Sequence, residues 1–596
     1  MAAVVGVLNE SVTDALRGFY KLRKAFIALD GILDAENKYM ARKNSKLSAP
    51  NARAESKQTN GGSVPFQKKQ AQYVDPFADN EDEPDEFYDV DNTDDVPMPT
   101  NGYIGHIGKD TISRDMSGLS INSEPPLDIT NPPANFPGVI PGRSGSSAFV
   151  DKALAEGPDP SMFTNNIDAF IHSGASLHFG ILQLLISIIP PTFSKLLFII
   201  GFKGDRERGI KLLWQATRFH NINGAIAGLV ILGYYNGLIS VMDILPNDGA
   251  AAYPKERCQQ LLKDMRQRHP NSRLWLLQEA QMLSANRQID KAVAILQDGS
   301  GSTLKQVEAL QSFENSLSCM YLHAYQECAE SFLKCIKLNN WSHGLYYYIA
   351  GCAHVELYRL HRYGCPFPSA HNSQPTLQPD PSKAEHHATT AEVLLGKVPQ
   401  HLGKKKFMAR QLPFDIFVHR KLNKWAARAK EWDVRLVDAV GVSPIEEMTF
   451  FWGGYARMRR EHMEYSLARL AWSDGGVESG EIGTTNPHWN KEGLDEHAIL
   501  AILCATIYRQ LGETERSKAL LKHEIIDTHK PEEFKGGFRD NWTAPIARYE
   551  MAVNLWKESD RSGVGHDRER LEQCSFWLEK VAAWEGYDLD ARFGVS

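Results

Sequence analysis

Between Ser173 and Asp248 lies the most apolar part of this 596-residue chain, and any fold has to cover it. Two windows, Ser173–Ser194 and Phe219–Met242, carry no formal charge, and each approaches the roughly 20 residues needed to cross a bilayer. Composition argues for a different cover. Pro190 and Pro191 end the first helix after a run of apolar residues, and Lys195 follows soon after. The second window holds Asn221, Asn223, Asn236 and four glycines, whose polar groups lipid would leave unsatisfied. Helices apolar on all faces are expected to be wrapped by other helices of a large protein, so residues 158–250 are read as an apolar helical core segment. Anchoring in a membrane through residues 177–202 and 222–242 stays open as the alternative.

A single core stops growing at about 250–300 residues, so a chain of this length holds several domains or one long repeat array. The eight cysteines, Cys258, Cys319, Cys328, Cys335, Cys352, Cys365, Cys504 and Cys574, show no CxxC spacing. That usage predicts reduced thiols and a cytoplasmic location, with the nucleus open. The opening MAAVVGVLNESVTDALRG lacks a basic leader and a full apolar core, so no secretory signal is expected.

Within residues 1–43, Val12, Leu16, Phe19, Leu22, Phe26, Leu29 and Leu33 recur at helical spacing, which predicts an amphipathic helix docked on the main body. A free partner-binding helix is the alternative. From 44 to 157 Pro, Ser, Asn, Gly and acid dominate, and such a segment cannot bury enough apolar surface to offset its ordering entropy. It is read as a disordered linker. It contains eleven acids and no base between Asp75 and Asp95. That tract either solubilises the linker or presents a short motif built on Asp75, Phe77, Phe87 and Tyr88; Asp75-Pro76-Phe77 looks like the DPF peptides that clathrin adaptors bind. Ser117, Ser120 and Ser123 in the same tail are candidates for phosphorylation.

From Pro158 onward the pattern is helix, short break, helix, which makes the fold all-α. Against the tetratricopeptide period, Leu276, Ala280, Leu283, Ala292 and Leu296 fit one hairpin. Leu317, Met320, Ala329 and Leu333 fit a second; Cys504, Ala505, Tyr508, Gly512, Ser517 and Leu521 fit a third. The expectation is TPR-like hairpins over 251–596, stacked as an α-α superhelix with a concave face.

The blocks GFKGDRERGIKLLWQA, GYYNGLISVM, NNWSHGLYYYIAGCAHVELYR, LPFDIFVHRKLNKW, PIEEMTFFWGGYARM and APIARYEMAVNLW, with the ending YDLDARFG, occur in order across Ser173 to Gly594. In these the chain resembles the fungal inclusion-body clearance protein family, itself similar to the animal tetratricopeptide repeat protein thirty-nine group. The resemblance implies a repeat scaffold without catalytic residues or cofactor, which acts through protein partners in clearing misfolded-protein inclusions and is linked to lipid-droplet proteins. The acidic insert and the loops Gly364–Pro381 and Ser473–Glu492 depart from that family.

Enzyme signatures fall short. Gly204 and Gly209 have phosphate-loop spacing, but Ile210 displaces Lys211 and no Ser or Thr follows it. His523, Glu524, Asp527 and His529 miss the spacing of a zinc helix, so the imidazoles diverge. Cys328 and Cys335 share a helix face as small apolar groups. His354 with His361, and His386 with His387, lack ligand partners at metal spacing.

The richest charged feature is basic. Lys404, Lys405, Lys406, Lys421, Lys424 and Arg428 form a candidate basic surface beside the apolar face of Phe414, Phe417, Val418, Leu422 and Trp425. Such a helix lies on an anionic membrane or droplet, takes an acidic peptide, or packs as one more repeat helix with a solvated edge. One expectation is that this edge holds the chain's own acidic tract. No nucleic-acid-binding fold accompanies the charge, so nucleic acid is not expected as a partner.

Overall fold

The computed structural model describes residues 24–35, 38, 160–188, 204–246, 252–298, 304–364, 379–404, 406–407, 410–474, 486–561, 567–584 and 586–587, all within one compact unit. The linker 44–157, its motif residues Asp75, Phe77, Phe87 and Tyr88, the three serines and Lys405 lie outside the described residues.

The first helix, α1 (24–35), has Phe26, Leu29 and Leu33 on one face, three and four residues apart. That face packs on α2 (Asn166–Ile188) and α3 (Arg206–Ala216), where Leu33 is buried beside Ala175, Phe179 and Leu212. The rings of Phe26 and Phe179 meet edge to face at 5.0 Å, and Asp30 pairs with Arg208 at 2.8 Å. Helices α2 and α3 approach closely because two glycines face each other: a Cβ on Gly209 would stand 2.9 Å from the Gly180 carbonyl oxygen. Asp205 caps α3 by accepting from the Arg208 N–H, so the glycine-spaced stretch that begins at Gly204 is a helix start.

The apolar helix α4 (Ile222–Leu232) continues through a wider turn, Gly233–Leu238, to Val241. Its asparagines find partners within the protein. Asn221 caps α4 and donates to Ser173 Oγ, Asn223 donates to the Phe170 carbonyl, and Asn236 accepts from the Tyr253 hydroxyl at 2.7 Å. The inner faces of α2, α3 and α4 bury Leu177, Leu213, Ile231 and Tyr235 against Cys258, Leu261, Met265 and Trp275, which lie on α5 (Lys255–Arg268) and α6 (Arg273–Ala285).

Cover on all sides, as the sequence suggests for these helices, is not what the structure has. The spans 166–187 and 222–241 are long and apolar enough to cross a membrane, and only 56% and 50% of their windows are buried. Ile167, Phe170, Ile171 and Leu185 on α2, with Ile222, Ile226, Leu238 and Val241, stay exposed. The physical reason is supply: their buried neighbours lie on one side of the layer.

The expected hairpins are present as α6 with α7 (Ile289–Gln297), α8 (Lys305–Tyr321) with α9 (Tyr325–Leu338), and α15 (Leu494–Leu511) with α16 (Thr514–Leu521). All three turns are built alike. A left-handed residue, Arg287, His323 or Gly512, ends the first helix. The next N–H then reaches back to a carbonyl five residues earlier: Gln288 to Leu283, Ala324 to Cys319, Glu513 to Tyr508. This six-to-one closure terminates a helix and satisfies its last carbonyls.

Between the second and third hairpins lie α10 (His343–Tyr363), α11 (Pro381–Lys397), α12 (Pro413–Trp432), α13 (Pro444–Phe451) and α14 (Arg460–Ala471); α17 (Thr543–Arg561) and α18 (Arg568–Ala582) close the order. The two-residue strands β1 (Lys406–Phe407) and β2 (Arg410–Gln411) pair antiparallel. One large core runs through α8–α17, centred on stacked Tyr348 and Trp425 and on Phe417, Phe451 and Trp542. The chain also doubles back on itself. Arg509 reaches Asp243 at 3.1 Å, the Trp556 indole donates to the Leu245 carbonyl, and Ile244 packs beside Leu555.

Candidate interaction surfaces

The basic helix α12 does not present its charges to solvent as the candidate surface requires. Lys421, Lys424 and Arg428 sit three and four residues apart, on the same face as Phe417 and Trp425, and that face is buried. Lys421 Nζ lies 2.8 Å from Glu447 and 3.1 Å from Asp540; Lys424 reaches Glu496 and Asp540, each at 2.7 Å, and also Asp495. Arg428 pairs with Glu492 and Glu496, and Arg420 with Asp540 at 2.7 Å. The expected basic edge is therefore corrected for these three residues: acids from α13, α15 and the loops before α15 and α17 pull them inward. Lys404 is exposed in the turn before β1, and Lys406 begins β1.

Four cations here face five carboxylates, which leaves one carboxylate without a counter-charge. Burial dominates the electrostatics of the cluster, and repulsion among its carboxylates adds to it. Burial pushes the Glu447 and Glu492 carboxyls up to about 8. Burial also opposes charge on Glu496, but Lys424, Lys421 and Arg428 outweigh it and hold that carboxyl below its ordinary value. Lys421 and Lys424 are raised, because Asp540 and the neighbouring carboxylates overcome the burial that would lower them. With Asp540 and Glu496 at or below 1% exposure, no substrate reaches these groups. Their work is to hold α12, α13 and α15 together. A neighbouring cluster ties α10 to α14, with Glu356 bridging Arg359 and Arg469.

The remaining chemistry-bearing residues also face inward or pair locally. Cys328 and Cys335 are buried, and burial raises both thiols. His523 pairs with Glu524 and His529 with Glu533. The structure joins two histidine pairs that sequence spacing leaves separate: His354 Nδ1 is 3.0 Å from His387 Nδ1, and His361 stacks on His387 at 5.4 Å. Among the described residues no group of three or more His, Cys, Asp or Glu is placed to hold a metal.

Among the described residues, two of the open surfaces bear on partner binding. One is the exposed apolar face of α2 and α4. The other is a groove of about 540 Å³ between α5 and α6, floored by Leu262, Met282 and Leu283 and bordered by Lys263, Gln259 and Gln267. Sequence reading misses this groove, because its residues fall on two helices and its basic border is spread over a helix with no run of charge.

Residues 1–511 match the family Iml2/Tetratricopeptide repeat protein 39. The inclusion body clearance protein iml2 of Aspergillus terreus is 44% identical over the whole of this chain and 79% of its own length. The proteins of that name from Pyricularia oryzae and Candida glabrata are 34% and 29% identical over the whole chain, with 79% and 78% of their own lengths covered. No solved structure matches the chain. Built as a stack of helical hairpins and matched to the family model over residues 1–511, the chain belongs to the Iml2/Tetratricopeptide repeat protein 39 family.

Proposed function

We propose that this chain is a non-catalytic helical adaptor that acts in the clearance of misfolded-protein inclusion bodies by binding other proteins. The observation that carries the reading is the stack of hairpins in which the α12 charge cluster, Cys328 and Cys335 are buried in internal packing while a groove and an apolar face stay open. Its relatives are named for inclusion body clearance. In this reading the chain works in the cytoplasm, with the nucleus open, and its partners are quality-control proteins together with the lipid-droplet proteins that the resemblance implies. The test is complementation. In fungal cells lacking their own family member, a fluorescent misfolded reporter should clear slowly, and expressing this chain should restore the rate; a chain that reaches normal abundance without restoring clearance overturns the reading.

The exposed faces of α2 and α4 support a second reading, a peripheral protein of an organelle or droplet held through 177–202 and 222–242. Extraction separates the two. Release by salt supports the adaptor, and retention in carbonate supports the anchored protein.

A further inference from the structure

We infer that the groove between α5 and α6 binds an acidic linear segment of a partner protein, one with an aromatic or large apolar side chain among its acids. The inference rests on the adaptor reading and names the chemistry of its partner.

Three features of the groove converge on this ligand. Its floor, Leu262 and Met282 with the half-buried Leu283, is apolar and takes a side chain. Its border carries amides that are free to pair with a peptide backbone: Gln259, Gln267 and Gln288 make no side-chain hydrogen bond among the described residues. An amide offers both a donor and an acceptor, which is what an extended backbone needs.

The third feature is charge. Arg266 and Glu279 neutralise each other at 2.9 Å across the groove. Lys263 has no ion pair among the described residues and stands exposed on the border. Of the charged residues that line the groove, Lys263 and Arg266 are basic and Glu279 is acidic. With Arg266 and Glu279 paired, the groove keeps the single positive charge of Lys263, which an acidic segment satisfies while its apolar side chain covers the floor. A purely apolar segment would leave the lysine and the amides unmatched, which selects against it.

The probe is a fluorescein-labelled peptide with the sequence of Asp75–Asp95, which carries eleven acids with Phe77, Phe87 and Tyr88. Anisotropy with the full chain should show saturable binding that weakens with salt. Lys263→Glu should weaken it at least about tenfold, a difference of about 1.4 kcal/mol. Gln267→Ala should weaken it less, and Lys337→Glu, on an exposed face elsewhere, should leave it unchanged. All three positions are at the surface, and a thermal melt checks that each variant folds. Equal binding by Lys263→Glu, or equal binding of a peptide whose acids are replaced by amides, overturns the inference. Binding that emerges only when 75–95 is deleted from the chain assigns the groove to the chain's own tract and overturns a separate partner. Absent peptide binding in a chain that still restores inclusion clearance removes the groove assignment alone; lost clearance removes the adaptor reading whatever the peptide does.

Discussion

Lys424 has three carboxylates around its ammonium and almost no contact with water. Removing one partner of such a cluster leaves uncompensated buried charge, which costs about 3–5 kcal/mol. Lys424→Met should lower the unfolding free energy by about that amount, read by urea denaturation. Glu447 behaves in the opposite way. Burial pushes its carboxyl up to about 8, from an ordinary 4.5, so the folded chain keeps a proton that the unfolded chain releases. That contribution to stability is complete below pH 4.5 and is lost as pH rises through 8. Glu447→Gln, which carries hydrogen permanently, should therefore lose less stability than the wild type between mildly acidic and mildly alkaline pH, measured by denaturant titration at both. Sequence spacing held the clue to this site. Lys421, Lys424 and Arg428 repeat in register with Phe417 and Trp425, but a lysine is normally assigned to the solvent side, and the matching acids lie far along the chain at Glu447, Glu492, Asp495, Glu496 and Asp540.

Helices and hairpins were legible where a periodic apolar face sat beside a short break, as at Leu276–Leu296 and Cys504–Leu521. Their turns were not, because a left-handed position advertises itself by glycine, and only Gly512 of the three has one. Arg287 and His323 hold that conformation through other contacts: Arg287 donates to the Ala456 carbonyl, and His323 meets Ser466. Asp433, which ends α12 in the same conformation, has an exposed side chain with no such contact among the described residues, and left-handed backbone costs a residue with a Cβ about 1–2 kcal/mol. Asp433→Gly should stabilise the chain by up to about 1 kcal/mol, seen as a higher denaturation midpoint. The packing of α10 on α11 carries a pH dependence of its own. Burial, with the neighbouring histidines His386 and His361 and with Lys383, lowers His354 and His387 to about 4; Glu330 opposes this at His354. Stability from this pair is complete above the ordinary 6.5 and is lost as pH falls toward 4. His387→Leu should flatten that loss, followed by thermal melts at falling pH.

At the scale of the whole molecule, the class and the hairpin stacking could be read from periodicity, whereas the return of Asp243–Leu245 to α15 and α17 could not, since no local pattern encodes a contact across so much chain. The one-sided cover of α2 and α4 escaped for the same reason. Because Ile171 and Ile226 are exposed, Ile171→Ser and Ile226→Ser together should leave the melting temperature almost unchanged. If this face is used on membranes, the double variant should also lose carbonate-resistant sedimentation. Ordinary hairpin arrays touch only their nearest neighbours, so such proteins gain or shed units by duplication and loss with little penalty. Here the ammonium of Lys424 is shared by acids at 495, 496 and 540, and Arg509 ties 243 to 550. Deleting a hairpin among them would strand a charge in the dark of the protein, so these units are bound to distant parts of the chain as well as to their neighbours.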